Sequence, residues 1–156
     1  LIEVPLPTRK KINNKNILIL GSGGSSKTTE YLFKEHNTIQ IASREPNLDS
    51  ISYNEINDIA PKIDILINTT PIGMPPFEEE SLNIPFNQFN NLEVFFNLGY
   101  NVKENFTSKF SEDVIKIDGI KMLITQAVAS FNIWADSEIK LEDVYHNITE
   151  RLKNEN

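Results

Sequence analysis

The sequence predicts an α/β protein built on a doubly wound parallel sheet, and three observations carry that expectation. Short, mostly apolar runs recur at residues 17–20, 63–68 and 92–98, each the length of a buried strand. Segments with helical spacing lie between and after them. The first run ends in a glycine-rich turn, Gly21-Ser-Gly-Gly-Ser-Ser26, which opens directly into the first helical segment.

That turn organises the rest. Strand, glycine turn and helix in this order is the context a dinucleotide fingerprint requires. Gly21 makes the tight turn, and Gly23 lets the backbone approach a pyrophosphate. Ser26 holds the third position, where a small residue allows the helix to pack on the strand. Phosphates would then meet unpaired backbone N–H groups at the positive end of the helix. The bland alternative is a glycine-rich turn that binds nothing. Its placement between strand and helix favours the nucleotide site.

Bulk properties narrow the classes. The 156 residues, 39% hydrophobic and 24% charged, suit one globular domain with a real core. A formal charge of −7 argues against a nucleic-acid surface, which needs clustered Lys and Arg. With no cysteine there is neither a disulfide nor a Cys-ligated metal site, and no metal is expected. No apolar run reaches membrane-spanning length and no signal-peptide core stands at the start, so a cytoplasmic protein without membrane partners is expected. The first residue is Leu1 rather than Met, which predicts a processed product or a piece of a longer chain.

Residues 1–15, with Pro5, Pro7 and the basic run Arg9-Lys10-Lys11, read as an extended lead-in to a domain at 16–156. The first helix carries Tyr31, Leu32 and Phe33 and is expected to end near His36-Asn37. Residues 38–43 alternate polar and apolar as a second strand. In NAD-binding folds an acidic residue about twenty positions past the first glycine accepts the ribose 2′-OH. Here the strand tip is Ser43-Arg44. A guanidinium there pairs with a 2′-phosphate, so the cofactor reads as NADP. Glu45 follows and opposes that reading, the alternative being a surface Arg44 paired with Glu45.

A short helix is expected around residues 53–59. The strand at 63–68 then closes into Thr69-Thr-Pro-Ile-Gly-Met74, on the same crevice as the glycine turn. Residues 75–91 form a long connection whose three glutamates, Glu78 to Glu80, read as a solvated loop. Residues 92–98 make a fourth strand with Gly99 and Tyr100 at its tip, and residues 114–117 a short fifth. Residues 120–135 have strong helical periodicity, with Leu123, Ala127, Ser130, Phe131 and Trp134 on a stripe expected to pack in a core. A second amphipathic helix follows at 141–153.

Taken together, GSGGSSK after a strand, the Ser-Arg tip, INTTPIGM, the Leu98-x-Tyr100 pair and DGIKMLITQAVASFNIWAD resemble the cofactor half of shikimate dehydrogenase, from about Asn16 to Asp136. The last motif is the most specific. The resemblance implies a three-layer Rossmann-type fold and NADPH-dependent reduction of 3-dehydroshikimate to shikimate, in aromatic amino acid biosynthesis. It implies that Gly21, Ser22, Gly23, Gly24 and Ser25 grip the pyrophosphate and that Ser43 and Arg44 bind the 2′-phosphate. Thr70, Leu98, Gly119 and Met122 would line the ribose and nicotinamide, while Tyr100 and Gln126 would reach the substrate. The two carboxy-terminal helices would pack back on the sheet.

Departures accompany the likeness. Ser43 and Glu45 stand where the family usually has Asn and Thr, the apolar Leu48 replaces a common second basic residue, and Asn97 replaces a frequent Asp. These weaken the expected preference for NADP over NAD. The family's amino-terminal half carries a Lys and an Asp that assist proton transfer, and no counterpart is found here, Lys10 and Lys11 lying in a different context. Hydride transfer needs the carbonyl polarised and protonated. No catalytic residue is therefore assigned, and this piece alone is expected to be inactive. The competing readings are a free-standing, non-catalytic NADP-binding module and a quinate/shikimate enzyme. Methylene-folate dehydrogenases share a glycine turn but leave the GIKMLITQA stretch unexplained. Removal of a substrate domain would uncover apolar surface near Met122 to Trp134, so self-association as a homo-oligomer is expected.

Overall fold

A computed structural model describes residues 12–100 and 106–154; of the expected lead-in, residues 1–11 lie outside it. The chain divides into two compact units, the larger ending at Asp118 and the smaller running from Gly119.

The larger unit is a six-stranded sheet, all parallel, formed by β1 (Asn16–Leu20), β2 (Thr38–Ser43), β3 (Ile51–Ser52), β4 (Ile65–Asn68), β5 (Val94–Asn97) and β6 (Ile115–Ile117). Their order is β3-β2-β1-β4-β5-β6. The chain thus lays down strands in one direction from β1, returns to the other side of β1, and continues outward. That reversal is a topological switch point, where ligand crevices open beyond the carboxyl ends of the strands.

Strand alternation divides the core in two. Leu18, Leu20, Ala42, Leu66 and Phe95 face one side with Ile56 of the short helix α2 (Ile56–Ile59), Ala60, Phe89, Phe106 and Phe110. Ile17, Ile19, Ile65, Ile67 and Val94 face the other, where Phe33 of helix α1 (Gly24–Phe33) packs. Both faces are covered, which is why these strands read as nearly unbroken apolar runs. The result is the three-layer, doubly wound arrangement. Phe110 stacks its ring against three others, at centroid distances of 5.3 Å from Phe86, 6.1 Å from Phe89 and 4.7 Å from Phe95.

α1 ends at Phe33, and a turn leads through His36 to Asn37. The Asn37 amide donates to the carbonyls of Phe33 (2.8 Å) and Ile12 (3.0 Å), and its oxygen accepts from the Lys15 N–H (3.0 Å). It fixes the entry to β1 against the exit from α1. The expected helix at 53–59 is a 3₁₀ turn, Tyr53–Glu55, running into α2.

The smaller unit consists of α3 (Ile120–Ala135) and α4 (Leu141–Asn154). Gly119 caps α3 at one end, and Asp136 closes it in a left-handed conformation with φ 47°. The Asn132 side chain then ties down the connection: its oxygen accepts from the Ser137 hydroxyl (2.8 Å) and the Ile139 N–H (3.0 Å). The α3 stripe does not behave wholly as expected. Among the described residues of α3, Ile124 is buried, whereas Phe131 is 51% and Trp134 85% exposed. Helical periodicity shows that a face is apolar; it does not supply what covers it.

Candidate nucleotide site

The register of the sheet brings the strand tips level. Leu20 pairs with Ala42 on one side and Asn68 on the other, and Asn68 pairs with Asn97. The segments that follow these residues therefore emerge along one edge. Between them lies a cleft of about 690 Å³, lined by Gly21, Ser22, Gly23, Ser43, Arg44, Glu45, Tyr53, Thr69, Thr70, Pro71 and Ile72.

Gly21 turns with φ +101°, and its N–H donates to the Ala42 carbonyl at 2.8 Å. A Cβ here would stand 2.9 Å from Thr69 Oγ1 and 3.2 Å from Thr70 Cγ2, so both conformation and space demand glycine. Gly23 and Gly24 differ. A Cβ on either would meet nothing within 4 Å, which leaves their backbone open to close approach. Gly23 is the amino-terminal cap of α1 and, as a glycine, makes no side-chain capping hydrogen bond to the helix's first-turn N–H groups. Gly24 and Ser25 open α1, exposed at that end. Free N–H groups and the helix dipole together suit an anionic group. Ser26 is fully buried, matching the small third position of the turn; its hydroxyl has no hydrogen-bond partner among the described residues.

The Ser22 and Ser43 hydroxyls lie 3.0 Å apart and join the glycine turn to the tip of β2. Ser43 Oγ also accepts from the Glu45 N–H at 3.3 Å. Arg44 follows, its side chain 71% exposed at the cleft. Its Nη1 lies 3.7 Å from Glu80 Oε2, so among the described residues the guanidinium pairs with the long β4–β5 connection and not with adjacent Glu45. The acidic run is thus more than a solvated loop. Tyr53 lines the cleft beside Arg44; burial raises its hydroxyl pKa, and the Arg44 charge pulls the other way.

The turn after β4 is held by hydroxyls. Thr69 Oγ1 donates to the Leu20 carbonyl at 2.6 Å, and Thr70 donates to Asn68 Oδ1 from both its N–H (3.1 Å) and its hydroxyl (2.7 Å). Asn68 Nδ2 in turn donates to Asn97 Oδ1, which also accepts from the Gly99 N–H. A Cβ on Gly99 would lie 3.6 Å from Met74 Sδ, so the β4 loop meets the tip of β5.

Six of the expected cofactor residues, Gly21, Ser22, Gly23, Ser43, Arg44 and Thr70, therefore line one cleft. Leu98 packs against the core cluster on the α1 side, with Tyr100 half exposed beyond it. Gly119, Met122 and Gln126 belong to the smaller unit: Gly119 caps α3, Met122 is half-buried and Gln126 exposed. Tyr53, Pro71 and Ile72 were not singled out as site residues from the sequence. Their signal was positional, since Tyr53 directly follows β3 and Pro71 and Ile72 the tip of β4.

No family model matches the chain. Among curated proteins, the shikimate dehydrogenase (NADP(+)) of Methanococcus maripaludis is 34% identical, over 85% of this chain and 52% of its own length. The solved chorismate mutase/shikimate 5-dehydrogenase fusion protein of Clostridium acetobutylicum superposes with a TM-score of 0.75 at 30% identity, over 92% of this chain and 56% of its own. Shikimate dehydrogenase 1 of Peptoclostridium difficile gives 0.73 at 28% identity, over 89% and 55%. The chain spans about half the length of the curated relatives it matches. Along that half, the chain is similar in sequence and in fold to shikimate dehydrogenases.

Proposed function

We propose that the chain is the cofactor-binding part of a shikimate dehydrogenase, working with NADP(H) and with shikimate and 3-dehydroshikimate in aromatic amino acid biosynthesis, with residues 16–156 as its nucleotide-binding domain. The observation that carries this is the single cleft at the β1/β4 switch point, where the glycine turn, Arg44 and Thr70 converge. The residues fit the cofactor. The open backbone at Gly23 and Gly24 and the uncapped start of α1 suit a pyrophosphate, and the Arg44 fork suits a 2′-phosphate. When bound, NADPH would supply the hydride for the ring carbonyl. The chain's own share is to hold and orient: Ser22 and Ser43 fix the turn to β2, and the Asn68 network sets Thr70 and Gly99.

Leu98, Gly119 and Met122 belong to the cofactor and Tyr100 and Gln126 to the substrate in this reading, on the resemblance of their motifs. Protonation of the forming alkoxide is the task of the Lys and Asp that the resemblance assigns to the other half of such enzymes, so the 156-residue chain alone is expected to bind without turning over. Zero cysteines support a cytoplasmic setting. Among the described residues no helix is long and apolar enough to cross a membrane.

Calorimetric titration with NADP and, separately, NAD tests the proposal. The expected result is saturable binding of NADP, weakened about tenfold or more by Arg44→Ala, with NAD affected less. Failure of the chain to bind either dinucleotide overturns it.

A further inference from the structure

The 2′-phosphate position assigned above holds more than its arginine. Arg44 Nη1 stands 3.7 Å from Glu80 Oε2, and the Glu80 carboxylate is itself 46% exposed. Glu80 closes an acidic run, Glu78 to Glu80, on a loop that begins in the cleft wall at Thr69–Ile72. That loop has internal order: the Met74 N–H donates to the Pro71 carbonyl (3.0 Å), the Phe77 N–H to that of Met74 (2.6 Å), the Gly73 N–H to that of Phe77 (2.9 Å) and the Glu80 N–H to that of Phe77 (3.2 Å). Leu82 and Ile84, just beyond, are buried in the core. Glu80 is thus carried between ordered turns and a buried anchor, with its carboxylate at the guanidinium.

We infer that Glu80 is a specificity-setting residue, an internal anion that occupies one side of the Arg44 fork and competes there with the 2′-phosphate of NADP. This rests on the cofactor reading above and deepens it. A 2′-phosphate carries close to two negative charges and gains most from a guanidinium free to meet it bidentately. With Glu80 in place, it must displace the carboxylate or share the fork with a like charge. NAD bears a neutral 2′-OH and meets no such repulsion. Arg44 therefore attracts NADP while Glu80 limits the preference, and the two residues together narrow the discrimination between the two cofactors.

The test uses the whole 156-residue chain in low salt and measures dissociation constants for NADP and NAD with wild type, Glu80→Gln and Glu78→Gln. The glutamine at 80 keeps size and polarity and removes only the charge. The Glu78→Gln control changes net charge equally from within the same run. Glu80→Gln is expected to tighten NADP roughly three- to fivefold, in the range of one exposed ion pair, leaving NAD unchanged. Glu78→Gln is expected to do clearly less, and the Glu80→Gln gain should shrink as salt rises. If NADP binds the wild type but Glu80→Gln leaves its affinity unchanged, or tightens NAD equally, the Glu80 inference is overturned and the cofactor reading stands. Binding of neither dinucleotide by any of the three proteins overturns both.

Discussion

The side-chain amide of Asn68 donates to that of Asn97 across 2.9 Å, with both residues buried at the paired tips of β4 and β5. Asn97 Oδ1 serves a second donor, the Gly99 N–H at 3.3 Å, and Asn68 Oδ1 serves both donors of Thr70. One pair of amides therefore fixes the backbone turns that leave two neighbouring strands. Replacing Asn97 by Leu would strand the Asn68 amide and the Gly99 N–H in a dry setting. The expected loss is about 1–3 kcal/mol in urea unfolding. Asn97→Asp retains an acceptor for both donors and should lose less. A Leu variant as stable as wild type would show that these bonds do not hold the strand tips.

The glycine turn separates structural from ligand-facing glycines. Gly21→Ala meets Thr69 Oγ1 at 2.9 Å in a left-handed backbone, and should cost about 1–3 kcal/mol of stability. Gly23→Ala has open space and a φ of −78°, so its stability should stay within about 0.5 kcal/mol of wild type. Its methyl would nonetheless intrude where a pyrophosphate approaches, and dinucleotide affinity should fall at least roughly tenfold. Thermal unfolding and calorimetric titration of the same two variants measure both quantities. Undiminished binding by a stable Gly23→Ala protein would remove the close-approach argument.

What the sequence made legible follows from the range of the interactions involved. The β1 strand and its glycine turn were readable because a buried run, a turn and a helix start are local patterns. The two-residue β3, Ile51–Ser52, has no pattern of its own and exists through pairing with Ala42 and Ser43. The Asn68–Asn97 link depends on β4 and β5 lying side by side, which neither segment encodes alone. Arg44 was legible as a strand-tip cation. Its partner was not, because Glu80 arrives on an aperiodic loop, whereas sequence adjacency pointed to Glu45.

Acid should act on the 3₁₀ turn that follows β3. The Glu55 carboxylate accepts from the Ser52 hydroxyl (2.7 Å) and N–H (2.8 Å), and these bonds hold its pKa below the ordinary 4.5. A depressed carboxyl pKa contributes stability that is fully present above the unfolded value and is lost as pH falls through the folded one. This contribution should therefore hold at neutral pH and fade below about 4.5. Glu55→Gln removes the titration, so its stability relative to wild type should converge as pH is lowered through that window. Parallel stability profiles of the two proteins from neutral pH to pH 3 would contradict the assignment, pH 3 being roughly the lower edge of carboxylate titration.

The α3 face carries a prediction of its own. Ala127, Phe131 and Trp134 lie four and three residues apart, the spacing of one helical face, and all three are exposed. Trp134 at 85% and Phe131 at 51% exposure present large aromatic surfaces to water, which burial against another apolar surface would stabilise. The isolated chain should therefore associate with itself as its concentration rises, through contacts that salt does not weaken. Trp134→Glu combined with Phe131→Glu places charge at two exposed positions of that face, and should shift the chain towards monomer while leaving its unfolding midpoint nearly unchanged. Sedimentation velocity across a dilution series measures this directly. A wild-type chain that stays monomeric at every concentration would show that these exposed rings are too few to drive association.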